Sequence, residues 1–186
     1  MKAKALFLDR DGVINKDLGY VYTKDRFKFI DGIFELVKKF SEKDYKIFII
    51  TNQSGIGRGF YSEDDFISIM EYVKIFFKDR FIDIAGIYYC PHHPTEAVNA
   101  FKVDCNCRKP RPGMLIKAKL DFDLDLEKSI FIGDSKCDVD AAISAEIKKI
   151  IFISSKKEKL NLRVGNGVKL FQFKDVKEAV KLFNEI

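Results

Sequence analysis

Residues 5–15 read ALFLDRDGVIN, and this stretch decides the fold. Ala5 to Leu8 form a continuous apolar run with no polar face, the pattern of a strand covered on both sides of a sheet. The run stops at Asp9-Arg10-Asp11-Gly12. In open α/β sheets the working groups lie just beyond the carboxyl ends of the strands, where this polar turn falls. Side-chain alternation along an extended chain would point Asp9 and Asp11 the same way. An ionised aspartate can attack phosphorus and also ligate a hard cation. A second acid beside it can protonate a leaving oxygen and later activate water.

Outward from this turn, buried runs alternate with helical patterns. Ile33 to Phe40 reads as an amphipathic helix and Ile47 to Ile50 as a second buried strand. Ser62 with Asp65 resembles a capping box, predicting a helix that runs to about Phe77. Gly86 to Cys90 reads as a third strand, and residues 91–111, with Pro91, Pro94 and Pro110, as an irregular excursion. Pro112 fits the first turn of a helix over 113–121. Beyond it come a strand at 129–132, a helix at 138–145, a strand at 149–153, a weaker strand near 168–172 and a helix over 175–183. Such alternation implies one doubly wound, Rossmann-like parallel α/β sheet with helices on both faces, a single domain spanning 1–186.

Three further strand ends carry polar clusters. Thr51-Asn52-Gln53-Ser54 is a run of donors opening a turn, suited to phosphoryl oxygens. Lys109 lies on stiff backbone in Arg108-Lys109-Pro110-Arg111-Pro112, a cation suited to neutralising phosphoryl charge. Asp134 ends the strand IFIG as a further magnesium ligand, since Mg²⁺ needs one or two carboxylates besides substrate oxygens and waters.

In this order the four motifs resemble the haloacid dehalogenase superfamily, whose aspartate-based phosphatases carry them all. The resemblance spans roughly residues 4–150. It implies that Asp9 is the nucleophile and Asp11 the general acid/base. Thr51 and Lys109 would bind the transferring phosphoryl group. Mg²⁺ would sit on Asp9, the Asp11 backbone carbonyl and Asp134, with Asp138 orienting Lys109 or a magnesium water. The chain is long enough only for the core fold, so no cap domain is expected, and selectivity falls to the loops 17–20, 54–60 and 91–111.

The chain has four cysteines and two histidines. Cys90-Pro91-His92 and Cys105-Asn106-Cys107 give two ligand pairs separated by a twelve-residue loop. Zinc takes Cys₃His tetrahedrally, and closed four-ligand sites are structural. A structural Zn²⁺ in a loop over 90–107 would set the approach of Arg108 and Lys109 to phosphate. His93 is expected beside the site rather than in it, and Cys137 as a packed small side chain.

The strings CPHHP, CNCRKPRPGM and TNQSGIGRG narrow the resemblance to the heptose bisphosphate phosphatases, which share the zinc loop with bacterial histidinol-phosphate phosphatases. The histidinol branch typically has TNQDGLG where this chain has Ser54 and Arg58. The resemblance implies a small phosphorylated sugar as substrate, with Asp17, Leu18, Gly19 and Tyr20 at the sugar end. Asn52, Gln53, Ser54, Arg58 and Arg108 would complete the substrate contacts. One departure is Ser135, where the superfamily often has lysine directly after the magnesium aspartate; here Lys136 is one place later. A rival reading, a zinc-bearing binding module on a degenerate hydrolase fold, is opposed by competent residues at all four catalytic positions.

Composition agrees with this. With 47% hydrophobic and 33% charged residues, neither disorder nor a membrane protein is expected. The start MKAKALFL is cut by Asp9-Arg10-Asp11 far too early for a signal peptide, so a cytoplasmic location is expected. The net charge of +5 is too thinly spread for nucleic-acid binding. Lys156, Lys157 and Lys159 read as a solvated loop, Gly165-Asn166-Gly167 as a turn, and most of the 18 Phe residues as core. A monomer is the expected assembly.

Overall fold

The computed structural model describes residues 2–154 and 167–185. Its centre is a six-stranded sheet, all parallel, in the order β3-β2-β1-β4-β5-β6. The strands are β1 (Ala5–Leu8), β2 (Lys46–Asn52), β3 (Ile84–Cys90), β4 (Ile130–Gly133), β5 (Lys149–Ile153) and β6 (Lys169–Phe173). The helices are α1 (Ile33–Ser41), α2 (Ser54–Gly57), α3 (Glu63–Lys78), α4 (Gly113–Phe122), α5 (Lys136–Ser144) and α6 (Val176–Lys181). The strand order reverses between β1 and β4, so the Asp9 turn and Asp134 flank the crevice where such sheets bind ligands.

Alternation within the strands feeds two cores. Leu6, Leu8, Ile47, Ile49, Ile130 and Ile132 pack on one face beneath α1, α3 and α6. Ala5, Phe7, Phe48, Ile50, Phe131 and Ile150 pack on the other beneath α4 and α5. At about 25 cal/mol per Å² of apolar surface, each buried Leu, Ile and Phe among these contributes roughly 1.5–3 kcal/mol before entropy is counted. The site is therefore built on a rigid floor.

Several boundaries differ from the sequence reading. α3 carries the expected capping box, with Ser62 accepting from the Asp65 backbone and Asp65 from the Ser62 backbone. Pro112 is the N-cap of α4 rather than a residue of its first turn. α5 starts at Lys136, earlier than expected, which makes Asp138 its third residue, accepting from the Ser135 backbone N–H at 3.1 Å. The short α2 stands where the sequence predicts only a turn, because the four residues SGIG are too few to show a helical period. α6 ends at Lys181, and Phe183 belongs to a following 3₁₀ turn. Lys156, Lys157, Lys159 and the first two residues of Gly165-Asn166-Gly167 lie outside the described residues. No helix among the described residues is long and apolar enough to cross a membrane.

Candidate active site and metal centre

Lys109 reaches into the sheet from the 91–111 loop. It is 4% exposed, and its Nζ lies 2.7 Å from Asp9 Oδ1, 2.5 Å from Asp138 Oδ1 and 3.0 Å from the Ile50 carbonyl. Burial alone would pull the ammonium pKa down; the paired carboxylates Asp9 and Asp138 outweigh it and raise it. The Asn52 side chain anchors the loop by accepting from the Lys109 backbone N–H at 3.0 Å and donating to its carbonyl at 3.1 Å. Asn52 therefore holds the lysine, a role that spacing along the chain does not reveal.

Asp9, Asp134 and Asp138 offer three carboxylate oxygens within 4.8 Å of one another. Asp138 is committed to Lys109 and to Ser135, whose hydroxyl donates to it at 2.5 Å. Asp9 and Asp134 are the pair left to face a cation, a donor set that suits Mg²⁺. Burial, with the neighbouring negative charges, raises both of these carboxyl groups, that of Asp134 to about 7. Gly12 lets the two strand ends meet: its φ is +88°, and a Cβ there would lie 1.9 Å from Asp134 Oδ2. Gly133 is equally confined, its would-be Cβ lying 2.4 Å from that of Asp138.

These shifts predict a pH dependence. A carboxyl held at about 7 when folded and near 3.8 when unfolded binds more protons in the folded chain between those values. Its stabilising contribution is complete below pH 3.8 and is lost as pH rises through 7. Without magnesium, Asp134→Asn is therefore expected to match the parent Tm near pH 4 and exceed it above pH 7. Added Mg²⁺ should raise the Tm of the parent only; equal pH profiles would remove the argument.

Asp11 has different partners from Asp9. The strand ends at Leu8 and the chain bends at Arg10, so alternation no longer governs the two carboxylates. Asp11 accepts from Arg10 Nε at 3.0 Å and Nη2 at 2.7 Å, from Asn15 at 2.9 Å and from Gln53 at 3.1 Å. Arg10 is fully buried, and it also donates to the Val21 carbonyl at 2.9 Å. Gln53 bridges the site, since its amide also donates to Thr51 Oγ1 at 2.8 Å while its oxygen accepts from Tyr61 at 2.6 Å. Burial pushes the Tyr61 phenol up to about 12, which keeps it a donor. Arg10, Asn15 and Tyr61 were missed by the sequence reading; the one available signal was Arg10, a charge between two motif acids.

A cleft of about 370 Å³ opens beside this network, lined by Asp11, Asp17, Tyr20, Gln53, Ser54 and Tyr61 among others. Asp17 accepts from the Gly19 backbone at 3.0 Å, and Tyr20 meets Phe60 edge-on at 4.6 Å. Arg58 and Arg108 are not among the lining residues. Arg58 pairs with Glu96 and lies 5.9 Å from the Tyr20 ring centre, while Arg108 donates to the His92 carbonyl at 3.2 Å.

The second cluster joins Cys90, His92, Cys105 and Cys107, whose ligand atoms all lie within 4.8 Å of one another. The Sγ pairs are 3.2–3.5 Å apart, and His92 Nδ1 is 3.4 Å from Cys107 Sγ and 3.7 Å from Cys90 Sγ. Zn–S bonds of ~2.3 Å in a tetrahedron give edges near ~3.8 Å, so the donor set fits Zn²⁺. His93 stays outside, its Nδ1 accepting from the Thr95 and Glu96 backbones at 3.3 and 3.1 Å. Cys137 lies 3.1 Å from the Ser135 hydroxyl, and burial raises its thiol rather than activating it. The cluster binds the loop to α2: Gln53 N–H donates to the Cys90 carbonyl, Gly57 N–H to Pro91 and Val98 N–H to Gly57. Elemental analysis should find one zinc per chain. Cys107→Ser should weaken zinc by at least about 100-fold and lower kcat through Lys109; full activity without zinc would contradict this.

A buried aspartate paired with lysine, facing a second acidic strand end on this sheet order, defines an aspartate-based phosphatase of the haloacid dehalogenase type, a phosphomonoester hydrolase. The model of the polynucleotide kinase 3 phosphatase family matches residues 6–164. The chain belongs to that family and, within it, to the heptose-1,7-bisphosphate 7-phosphatase branch. It is 46% identical over 185 residues to the D-glycero-alpha-D-manno-heptose-1,7-bisphosphate 7-phosphatase of Campylobacter jejuni, covering 100% of this chain and 98% of that one. It is 41% identical to the beta-anomer 7-phosphatase of Escherichia coli, over 82% of this chain and 80% of that one. The D,D-heptose 1,7-bisphosphate phosphatase of B. bronchiseptica, solved with magnesium and phosphate, superposes with a TM-score of 0.81 at 26% identity. The match covers 98% of this chain and 99% of that one.

Proposed function

We propose that this chain removes the 7-phosphate of D-glycero-D-manno-heptose 1,7-bisphosphate through an aspartyl-phosphate on Asp9. The observation that carries the chemistry is the buried contact of Lys109 with Asp9, set against Asp134 across the switch point. An Asp9 carboxylate oxygen attacks phosphorus, and the bond from phosphorus to the sugar oxygen breaks. Asp11 delivers a proton to that oxygen, then takes one from the water that attacks phosphorus of the aspartyl-phosphate, which breaks the bond from phosphorus to the Asp9 oxygen and releases inorganic phosphate. Lys109 and Thr51 hold the equatorial oxygens, where charge develops in the transition state. Held by Asp9, Asp134 and the Asp11 carbonyl, Mg²⁺ would neutralise phosphoryl charge.

Substrate selection falls to the cleft. Asp17 and Ser54 present polar groups to sugar hydroxyls, and Tyr20 forms a flat wall. Arg58 and Arg108 supply cations for the second phosphate. The zinc loop is structural, and three thiolates of this kind persist in a reducing compartment, which supports a cytoplasmic enzyme. All proposed groups come from one chain, so the site is complete in a monomer.

The deciding experiment compares kcat/KM for heptose 1,7-bisphosphate, histidinol phosphate and a 3′-phosphorylated oligonucleotide. A preference of about 100-fold or more for the heptose is expected, since a second charged anchor discriminates by several kcal/mol. Preference for either other substrate would overturn the reading.

A further inference from the structure

Glu96 belongs to neither metal site nor the catalytic network, yet its carboxylate is held by a guanidinium and an imidazole. Its Oε2 contacts Arg58 Nη2 and lies 3.6 Å from His93 Nε2. The loop backbone holds it there, because the Thr95 and Glu96 N–H groups both donate to His93 Nδ1. With Nδ1 accepting, a neutral His93 carries its proton on Nε2, the nitrogen that faces Glu96. Arg108 reaches the same loop, its Nη1 donating to the carbonyl of His92, the residue next to His93, at 3.2 Å. The cluster borders the substrate cleft, since Arg58 also packs toward Tyr20, which lines it.

An exposed carboxylate seated between a guanidinium and an imidazole N–H, with a second guanidinium on the same loop, occupies an anion site from within the chain. We infer that Glu96 is the resident anion of a subsite formed by Arg58, His93 and Arg108, which a second phosphate of the substrate must displace. This deepens the reading above and rests on it. Displacement is feasible because exposed ion pairs contribute little, whereas a phosphate dianion offers more acceptors and more charge to the same donors. Glu96 thus sets specificity through competition: a monophosphate ester held at the catalytic site leaves it in place, whereas free phosphate, or a ligand with a second anionic group, can replace it.

With only two histidines in the chain, and His92 in the metal cluster, the His93 imidazole is a resolvable local NMR reporter. Inorganic phosphate is titrated into the zinc-loaded wild type, Glu96→Gln and Glu96→Asp, following His93. Both variants are expected to shift the His93 midpoint to lower phosphate, Glu96→Gln by about two- to fivefold, the range set by an exposed ion pair. Glu96→Asp keeps the charge and withdraws the carboxylate, so it should fall between. Equal midpoints in all three proteins, or Glu96→Asp matching wild type, would overturn direct occupancy. Wild-type turnover of the heptose bisphosphate is assayed separately, so failure of the substrate assignment is told apart from failure of this inference.

Discussion

Asp9→Asn is expected to lose at least about 10⁴-fold in kcat, the scale seen when a nucleophile that acts as part of a unit is removed. The amide oxygen is a poor nucleophile toward phosphorus, and the neighbouring carboxylates have other work: Asp134 would hold the metal. Asp138 is held by Lys109 and Ser135, and Asp11 by Arg10, Asn15 and Gln53. The variant should stay folded, because Lys109 keeps Asp138 at 2.5 Å and the Ile50 carbonyl at 3.0 Å. Phosphate release under single-turnover conditions measures the loss, and circular dichroism confirms the fold. Activity within about tenfold of the parent would refute Asp9 as the nucleophile.

Lys109→Met is expected to damage both stability and catalysis. Removing one partner of a buried ion pair costs about 3–5 kcal/mol, because the remaining charge stays buried and uncompensated. Here three carboxylates, Asp9, Asp134 and Asp138, would face one another without the ammonium. Losing one donor to the developing phosphoryl charge should lower kcat by about 10²–10³-fold. Urea unfolding measures the first effect and steady-state kinetics the second. Lys109→Arg separates them: it keeps the charge, but its planar fork cannot reproduce three contacts to one nitrogen, so stability should recover further than activity. A Met variant as stable as the parent would show that the pair is not what holds this corner together.

Much of this was legible along the chain. The run Ala5 to Leu8 could bury both faces only in a covered parallel sheet, and the polar residues after each buried strand had to fall at one end of it. The Cys/His pairs were readable because zinc accepts few donor sets, and their four ligand atoms do come together. The roles of Asn52 and Gln53 were not readable. Both line the cleft, where substrate contacts were expected, and in addition Asn52 clasps the Lys109 backbone 57 positions away and Gln53 links Asp11, Thr51 and Tyr61. An amide advertises donors and acceptors equally to substrate and to protein, so its residue type cannot say which it meets.

The sequence by itself therefore determined the sheet, the ends of its strands and the types of metal donor, since periodicity and short-range spacing encode these directly. Tertiary structure alone decided which groups pair. It separated Asp9 from Asp11, giving the first to Lys109 and the second to Arg10, because the chain bends immediately after the strand. It also seated Glu96 against Arg58, a contact between loops that neither periodicity nor motif spacing specifies. The physical reason is common to both cases. Side-chain pairing depends on distances across the crevice, which are set by how the strands stack and not by where residues stand along the chain.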